Sequence, residues 1–554
     1  MFLKGIRPFL WIAAVGFAVY AATLSFGIVH LDDSRYILDN YPFNRDFQNI
    51  LTAFKQNINY PSGSSAYYRP LQAITHIIDA QFGGTNPFFY HVTNIILHVT
   101  ASLALFLFLL KMGLKKDLAL FLALIFTAHP SLVGAVAWIP GRIDSLLAIF
   151  VLLSFIFFVQ YRQTKKTGYL AGHVACFALA LFTKESAVVL PPILIIYLFV
   201  MRERVFSRFT APFFIGWLTV LTFWYFLSES VVGNVRSIAI PEIAKSIAAN
   251  GEAVLLYLGK MLLPFNLAAL PTLKDSTIIY GIITIFAVTA GLYWPKNKRR
   301  RFVLFGVTWF FLFLLPSFYT DDPSSLPIFM EHRAYLPLIG FLLILAEIDV
   351  IKNLNFGARM PRIAGAALVV LFAALAVNHS LHFKNRGSFW THAVNTSPNL
   401  PKAHHGLGTV YLVSGEPTLA ETEYKKALAL NPDEWFVHGN LGLLYMQNGD
   451  LNAAEEEYKK ELDINPTNTN TLLNLGILYY SRMGRFEEAK EAWGQALAIN
   501  AYVADAHEYL AIYYYEREQD TKKTIYHINE ALKRGGKVQQ ELLEIYDMIN
   551  SWKP

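Results

Sequence analysis

PFLWIAAVGFAVYAATLSFGIV, residues 8–29, runs directly into HLDDSR, residues 30–35. An uncharged apolar run of this length is enough to cross a hydrocarbon core. It lacks a small-residue cleavage site and is too long for a removed signal peptide, so it reads as a retained span. Two acids, Asp32 and Asp33, then stand at the point where the span leaves the membrane. Carboxylates are costly inside a bilayer, and a pair at its edge either ends a helix and opens a loop or does chemistry there. The remainder of the chain favours the second reading.

The chain has 554 residues, 54% hydrophobic and 16% charged, with a mean hydropathy of +0.35. These values describe a multi-pass membrane protein. The net charge of +6 is spread over short connectors, which argues for topology and against nucleic acid as a partner. The single cysteine, Cys176, lies in an apolar run and permits no disulfide within the chain. Eleven apolar runs are predicted spans: 8–29, 90–110, 117–137, 143–160, 168–183, 186–200, 209–228, 277–294, 302–318, 335–351 and 363–380. Lys260, Pro264 and Pro271 break the stretch 252–273, which is assigned to a re-entrant or surface segment.

Basic residues orient the spans. Lys4/Arg7, Lys111/Lys115/Lys116, Arg162/Lys165/Lys166, Arg202/Arg204/Arg208, Lys296/Lys298/Arg299/Arg300/Arg301 and Lys352/Arg359/Arg362 fall on alternate connectors, which makes that side and the N-terminus cytoplasmic. The outer side receives Asp32, Asp33, Asp144, Glu185, Asp321, Asp322, Glu331 and everything after residue 380. That side is periplasm in a bacterium and lumen in a eukaryote, with a bacterial inner membrane the favoured setting. The first outer loop, 30–89, carries Phe43, Phe47, Ile50, Leu51 and Phe54, then Leu71, Ile74, Ile77 and Ile78, at helical spacing. Each set reads as an amphipathic helix, either lying on the membrane or packed against the bundle.

Residues 386–554 are a repeat array. Pro398, Pro432 and Pro466 are 34 residues apart, and Gly408, Gly442, Gly476 and Tyr411, Tyr445, Tyr479 keep the same spacing. GLGTVY, NLGLLY, NLGILY and YLAIYY each open a helix pair, giving about four tetratricopeptide repeats. The glycine lets the two helices of a pair approach, and stacked pairs form a superhelix with a concave groove. The fold class is therefore all-α: a membrane bundle over 1–380, then a soluble solenoid.

Polar groups gather at outer span ends. Tyr67-Tyr68-Arg69-Pro70, His129-Pro130, Gly141-Arg142-Ile143-Asp144, Thr183-Lys184-Glu185-Ser186 and Glu331-His332-Arg333-Ala334-Tyr335 supply acids able to take a proton from a hydroxyl and cations able to hold a phosphate. Lys184 and Glu185 can equally form a local pair, as can Arg142 and Asp144. His91, Asn94 and His98 share a helix face and are assigned to hydrogen bonds between helices before metal binding.

LDDSRY (31–36), YYRPLQAITH (67–76), NPFFYHVTNIILH (86–98), HPSLVGAVAWIPGRID (129–144), TKES (183–186) and EHRAYLP (331–337) occur in this order, ahead of the repeats. Together they resemble the transmembrane and tetratricopeptide-repeat-containing O-mannosyltransferases, part of the GT-C group of polyprenyl-phosphate-sugar glycosyltransferases. The resemblance implies about eleven spans, an inverting transfer from a polyprenyl-phosphate-linked sugar, repeats on the outer side, and a protein hydroxyl as acceptor. By position, Asp32 or Asp33 supplies the acceptor-activating base, and Asp144 matches the acid of the second outer loop. Arg142, Lys184, Arg333 and Arg69 stand where donor-phosphate contacts are expected. Tyr68, His129, Glu185, Glu331 and Tyr335 are further site candidates. Asn440 and Asn474, two residues before the helix glycines, are candidates to line an acceptor groove in the repeats. No metal ligand set is assigned, and a divalent ion stays compatible with the chemistry. Neither the sugar nor the acceptor is determined: a lipid or envelope-glycan acceptor, or a non-catalytic repeat scaffold, remains open.

Overall fold

Backbone inside a membrane can satisfy its polar groups only along itself, so the apolar runs close into helices. The computed structural model describes residues 5–58, 67–205, 207, 210–233, 240–293, 300–318, 327–534 and 538–551. Among these, all regular structure is helical except one isolated bridge between Thr272 and Ile328. Lys4, Arg208, Lys296, Lys298, Arg299, Asp321 and Asp322, used above for orientation, lie outside the described residues.

Among the described residues, six helices are long and apolar enough to span a membrane: Arg7–Ser25, Pro87–Lys111, Ile139–Thr164, Ala211–Val232, Arg300–Phe318 and Arg359–Phe383. A seventh forms if Lys116–Thr127 and Pro130–Ala137, bent by 53°, count as one. Eleven were expected. Thr167–Thr183, Glu185–Val200 and Ile279–Tyr293 are apolar but shorter. The run 335–351 breaks into Tyr335–Leu345 and Asp349–Lys352. Every residue of Tyr335–Ile344 is buried, so its hydropathy reports burial on all sides as much as lipid contact. The stretch 252–273 yields only Ala253–Leu262, which stops two residues before Pro264.

In the outer loop, Pro70–Gly83 forms as expected. The helix expected over Phe43–Phe54 is broken into Tyr41–Asn44, Asn49–Thr52 and the turn Ala53–Lys55. Side-chain amides interrupt it: Asn44 Nδ2 donates to the Tyr36 carbonyl at 2.7 Å and Asn49 Nδ2 to that of Phe43 at 2.8 Å. Such local bonds compete with the helical ladder.

The chain divides into two compact units, one reaching Ser397 and the other beginning at Pro398. The helix Arg386–Thr396, grouped above with the repeats, belongs to the first unit. In that unit Arg142–Thr164 is central and packs on both Pro87–Lys111 and Thr167–Thr183. Ala211–Val232 and Arg359–Ser380 turn Ile215, Leu218, Phe223, Ile363 and Val370 outward. Exposed apolar side chains on span-length helices are what a lipid-facing surface requires.

Among its described residues, the second unit holds four helix pairs and a further helix, Gln540–Ser551. Pro401–Val413 pairs with Pro417–Leu430 and Val437–Asn448 with Leu451–Ile464. A Cβ at Gly408 would lie 2.7 Å from the Tyr424 ring, at Gly442 2.7 Å from that of Tyr458, and at Gly476 2.2 Å from Trp493. The repeating glycine is thus a steric requirement of the pair.

Candidate active site

Beyond Ser25 the first span gives way to extended chain. Gly27 N donates to the Lys384 carbonyl at 2.9 Å and Trp390 Nε1 to that of Val29 at 3.1 Å, so the start of Arg386–Thr396 braces this segment. His30 then adopts a left-handed conformation, φ +59°, unusual for a residue with a Cβ. The turn brings Asp33 back over the chain. Its Oδ2 accepts from Val29 N at 2.6 Å and its Oδ1 from Leu31 N at 3.0 Å. Asp33 is 1% exposed, whereas Asp32 is exposed. Burial pushes the Asp33 carboxyl up to about 6 against the pull of the two N–H groups, and Asp32 adds to the rise. One acid of the pair therefore holds the loop and the other faces solvent.

A second group forms where Arg142–Thr164 begins. A Cβ at Gly141 would lie 2.0 Å from the Gly134 carbonyl oxygen, so only glycine fits that entry. Arg142 is 0% exposed. It pairs with Asp79, donates through Nη2 to the Tyr90 carbonyl at 2.8 Å, and through Nε to that of Ile139 at 3.3 Å. Asp79 also accepts from Thr93 Oγ1 at 2.5 Å. Arg142 thus neither pairs with Asp144 nor presents its charge to solvent. Asp144 instead accepts from Lys184 Nζ at 2.5 Å, with His332 Nε2 3.8 Å from its other oxygen. Glu185 pairs with Arg69 and not with Lys184: two bonds of 3.1 and 2.6 Å join them, and the guanidinium lies 4.1 Å over the Tyr67 ring.

The third group surrounds the turn Glu331–Ala334. Glu331 Oε1 accepts from Lys260 Nζ at 2.5 Å and from Ala268 N at 2.8 Å, and Oε2 lies 3.4 Å from His379 Nε2. Arg333 Nη1 donates to the carbonyls of Ser317 and Ile328 at 3.1 and 3.3 Å. Tyr335 and His98 join at 2.8 Å, and His98 Nε2 meets the Thr127 carbonyl at 3.0 Å. His129 Nε2 meets the Met261 carbonyl at 3.0 Å, and the Tyr68 hydroxyl donates to that of Phe54 at 2.8 Å. Asn94 Nδ2 donates to the Val136 carbonyl at 2.9 Å, so the His91–Asn94–His98 face ties helices and loops together.

Two family models match this chain. Residues 72–228 match the dolichyl-phosphate-mannose-protein mannosyltransferases, and 405–469 and 475–536 match tetratricopeptide repeats. The chain is similar to proteins named protein O-mannosyl-transferase. A protein O-mannosyl-transferase of Caenorhabditis elegans is 25% identical over 457 residues, covering 77% of this chain and 63% of the relative. Those of Mus musculus and Homo sapiens are each 30% identical over 233 residues, 38% of this chain and 27% of theirs. The chain therefore spans less than two thirds of each of these relatives.

The mannosyltransferase match includes Asp79, Arg142, Asp144, Lys184 and Glu185; Asp32, Asp33, Arg69 and the Glu331 turn lie outside it. The repeat match includes Asn440. Its Nδ2 lies 3.0 Å from His405 Nε2 and 3.4 Å from Thr409 Oγ1, so that amide is engaged by the preceding repeat, while Asn474 is half-buried. Asp79 carries no motif signal in the sequence, and Lys260 reads there only as a helix breaker. A lone cation in an apolar run signals a buried acidic partner, and Glu331 is that partner.

Proposed function

We propose that this chain is an integral-membrane, inverting glycosyltransferase. It moves mannose or a related sugar from a polyprenyl-phosphate donor to Ser or Thr hydroxyls of exported proteins. The observation that carries the reading is the division of labour in the acidic pair: Asp33 is buried on the loop backbone and Asp32 is left exposed beside it. Asp32 takes the proton of the acceptor hydroxyl as its oxygen attacks the anomeric carbon. The bond from that carbon to the phosphate oxygen breaks on the opposite face, and the phosphate leaves with the electron pair. Lys184 and Arg69, each held by one carboxylate and partly exposed, are the cations assigned to the departing phosphate. Stabilising such charge from preorganised donors is commonly worth about 10²–10³ in rate. Arg142 is assigned a positioning role, since Asp79 and two carbonyls occupy it. The repeats are assigned to the acceptor.

The test is to incubate the purified full chain with a panel of polyprenyl-phosphate sugars and a Ser/Thr-containing protein, following donor consumption and the anomeric configuration of the product. Consumption of one donor with inversion, lost in Asp32→Asn, is expected. Transfer with retention overturns the mechanism, and undiminished transfer by Asp32→Asn overturns the base assignment.

A further inference from the structure

Three histidines converge at the end of the last long apolar helix. His379 lies on Arg359–Ser380, His382 in the turn Leu381–Phe383 and His392 on Arg386–Thr396. One ring nitrogen from each lies within 4.8 Å of the other two. The His382 and His392 rings stack at 3.6 Å, tilted by 4°. Two imidazolium ions would repel strongly at that separation, so the arrangement favours neutral rings with available lone pairs.

Two further observations point to an ion. His392 Nε2 is buried with no hydrogen-bond partner. Glu331 Oε2 is also buried without a hydrogen bond, 3.4 Å from His379 Nε2. A carboxylate behind a metal-bound imidazole orients the ring and raises its basicity.

We propose that His379, His382 and His392 bind a transition-metal ion of the zinc class, with Glu331 supporting His379. Three imidazole nitrogens suit zinc, copper, nickel or iron, whereas magnesium and calcium prefer oxygen. Tetrahedral zinc with bonds of about 2.0–2.1 Å needs in-plane lone pairs that converge, so binding draws the ligands together and turns the His382 and His392 rings out of their stack by side-chain rotation. The ion would tie the end of Arg359–Ser380 to Arg386–Thr396 and to the Glu331 turn. Lys384 and Trp390, from the same junction, hold Gly27 and Val29, and Val29 N holds Asp33. The site is therefore a structural clamp one step removed from the acidic loop.

The test uses the full chain in detergent, stripped with EDTA, reloaded with Zn²⁺ and passed through gel filtration. One zinc per chain is expected, and Co²⁺ loading should give the visible absorption of a four-coordinate nitrogen site. His382→Gln with His392→Gln should lose the metal, and Glu331→Gln should weaken zinc binding about 10–100-fold. Thermal unfolding of the stripped wild type should rise on adding Zn²⁺, a readout that needs no variant to fold. A wild type that retains no zinc, shows no such Co²⁺ spectrum and gains no stability overturns the proposal. So do well-folded double variants that hold zinc as the wild type does.

Discussion

Asp32 and Asp33 are adjacent in sequence and opposite in environment, and their substitutions should fail differently. Asp32→Asn removes an exposed acid that makes no side-chain hydrogen bond among the described residues. It should lower transfer by about 10²–10⁴-fold while leaving membrane insertion and thermal unfolding unchanged. Asp33 should carry a pH signature. Its folded value, about 6, lies above the ordinary 3.8. The proton it holds favours the fold fully below 3.8, and that contribution is lost as pH rises through about 6. Its loop bonds run the other way, because two backbone N–H groups need a carboxylate. Transfer should therefore fall as pH drops through about 6, and Asp33→Asn should remove that inflection and lower the plateau. A pH–rate profile that keeps its inflection in Asp33→Asn would contradict the assignment.

At the scale of elements, the entry into Arg142–Thr164 rests on Gly141. Gly141→Ala sets a Cβ against the Gly134 carbonyl and should displace Arg142 and Asp144 together, costing folded yield as well as transfer. In the repeats the two asparagines separate by structure. Asn440→Ala breaks a bond to the preceding repeat and should cost about 1 kcal/mol of stability, seen as a lower unfolding midpoint. Asn474→Ala is the cleaner test of acceptor capture. It should raise KM for a protein acceptor and leave turnover of a short peptide unchanged, since only the longer chain can use a linked site. Equal behaviour toward both acceptors would remove Asn474 from substrate binding.

At the scale of the whole molecule, we propose from the basic connectors and the outer acids that the repeats stand outside the cytoplasm. Cys176 is buried, and the Glu456 side chain is 68% exposed on a repeat helix. A Glu456→Cys reporter in a Cys176→Ala background should react with an impermeant thiol reagent from the outer face of intact cells or spheroplasts. Labelling only after the cytoplasmic face is opened would reverse the topology and remove the acidic loop from an outer-leaflet donor.

What the sequence determined by itself was whatever repeats or stays local. The helix pairs were legible because Gly and Tyr recur every 34 residues, and the membrane class because apolar runs are contiguous. The acidic loop was legible because it abuts a span. The tertiary structure alone decided the partners. Arg142 and Asp144 are two residues apart yet pair with Asp79 and Lys184, 63 and 40 residues away. Glu185 is beside Lys184 yet pairs with Arg69. Composition alone does not set the number of spans, because a short helix buried on all sides and a helix in lipid are equally apolar; Tyr335–Leu345 is the case in point. The three histidines carry no metal motif in the sequence, and their meeting depends on a helix turning back. Hydropathy responds to how much water a segment avoids, whereas pairing of buried charges depends on which segments fold against one another.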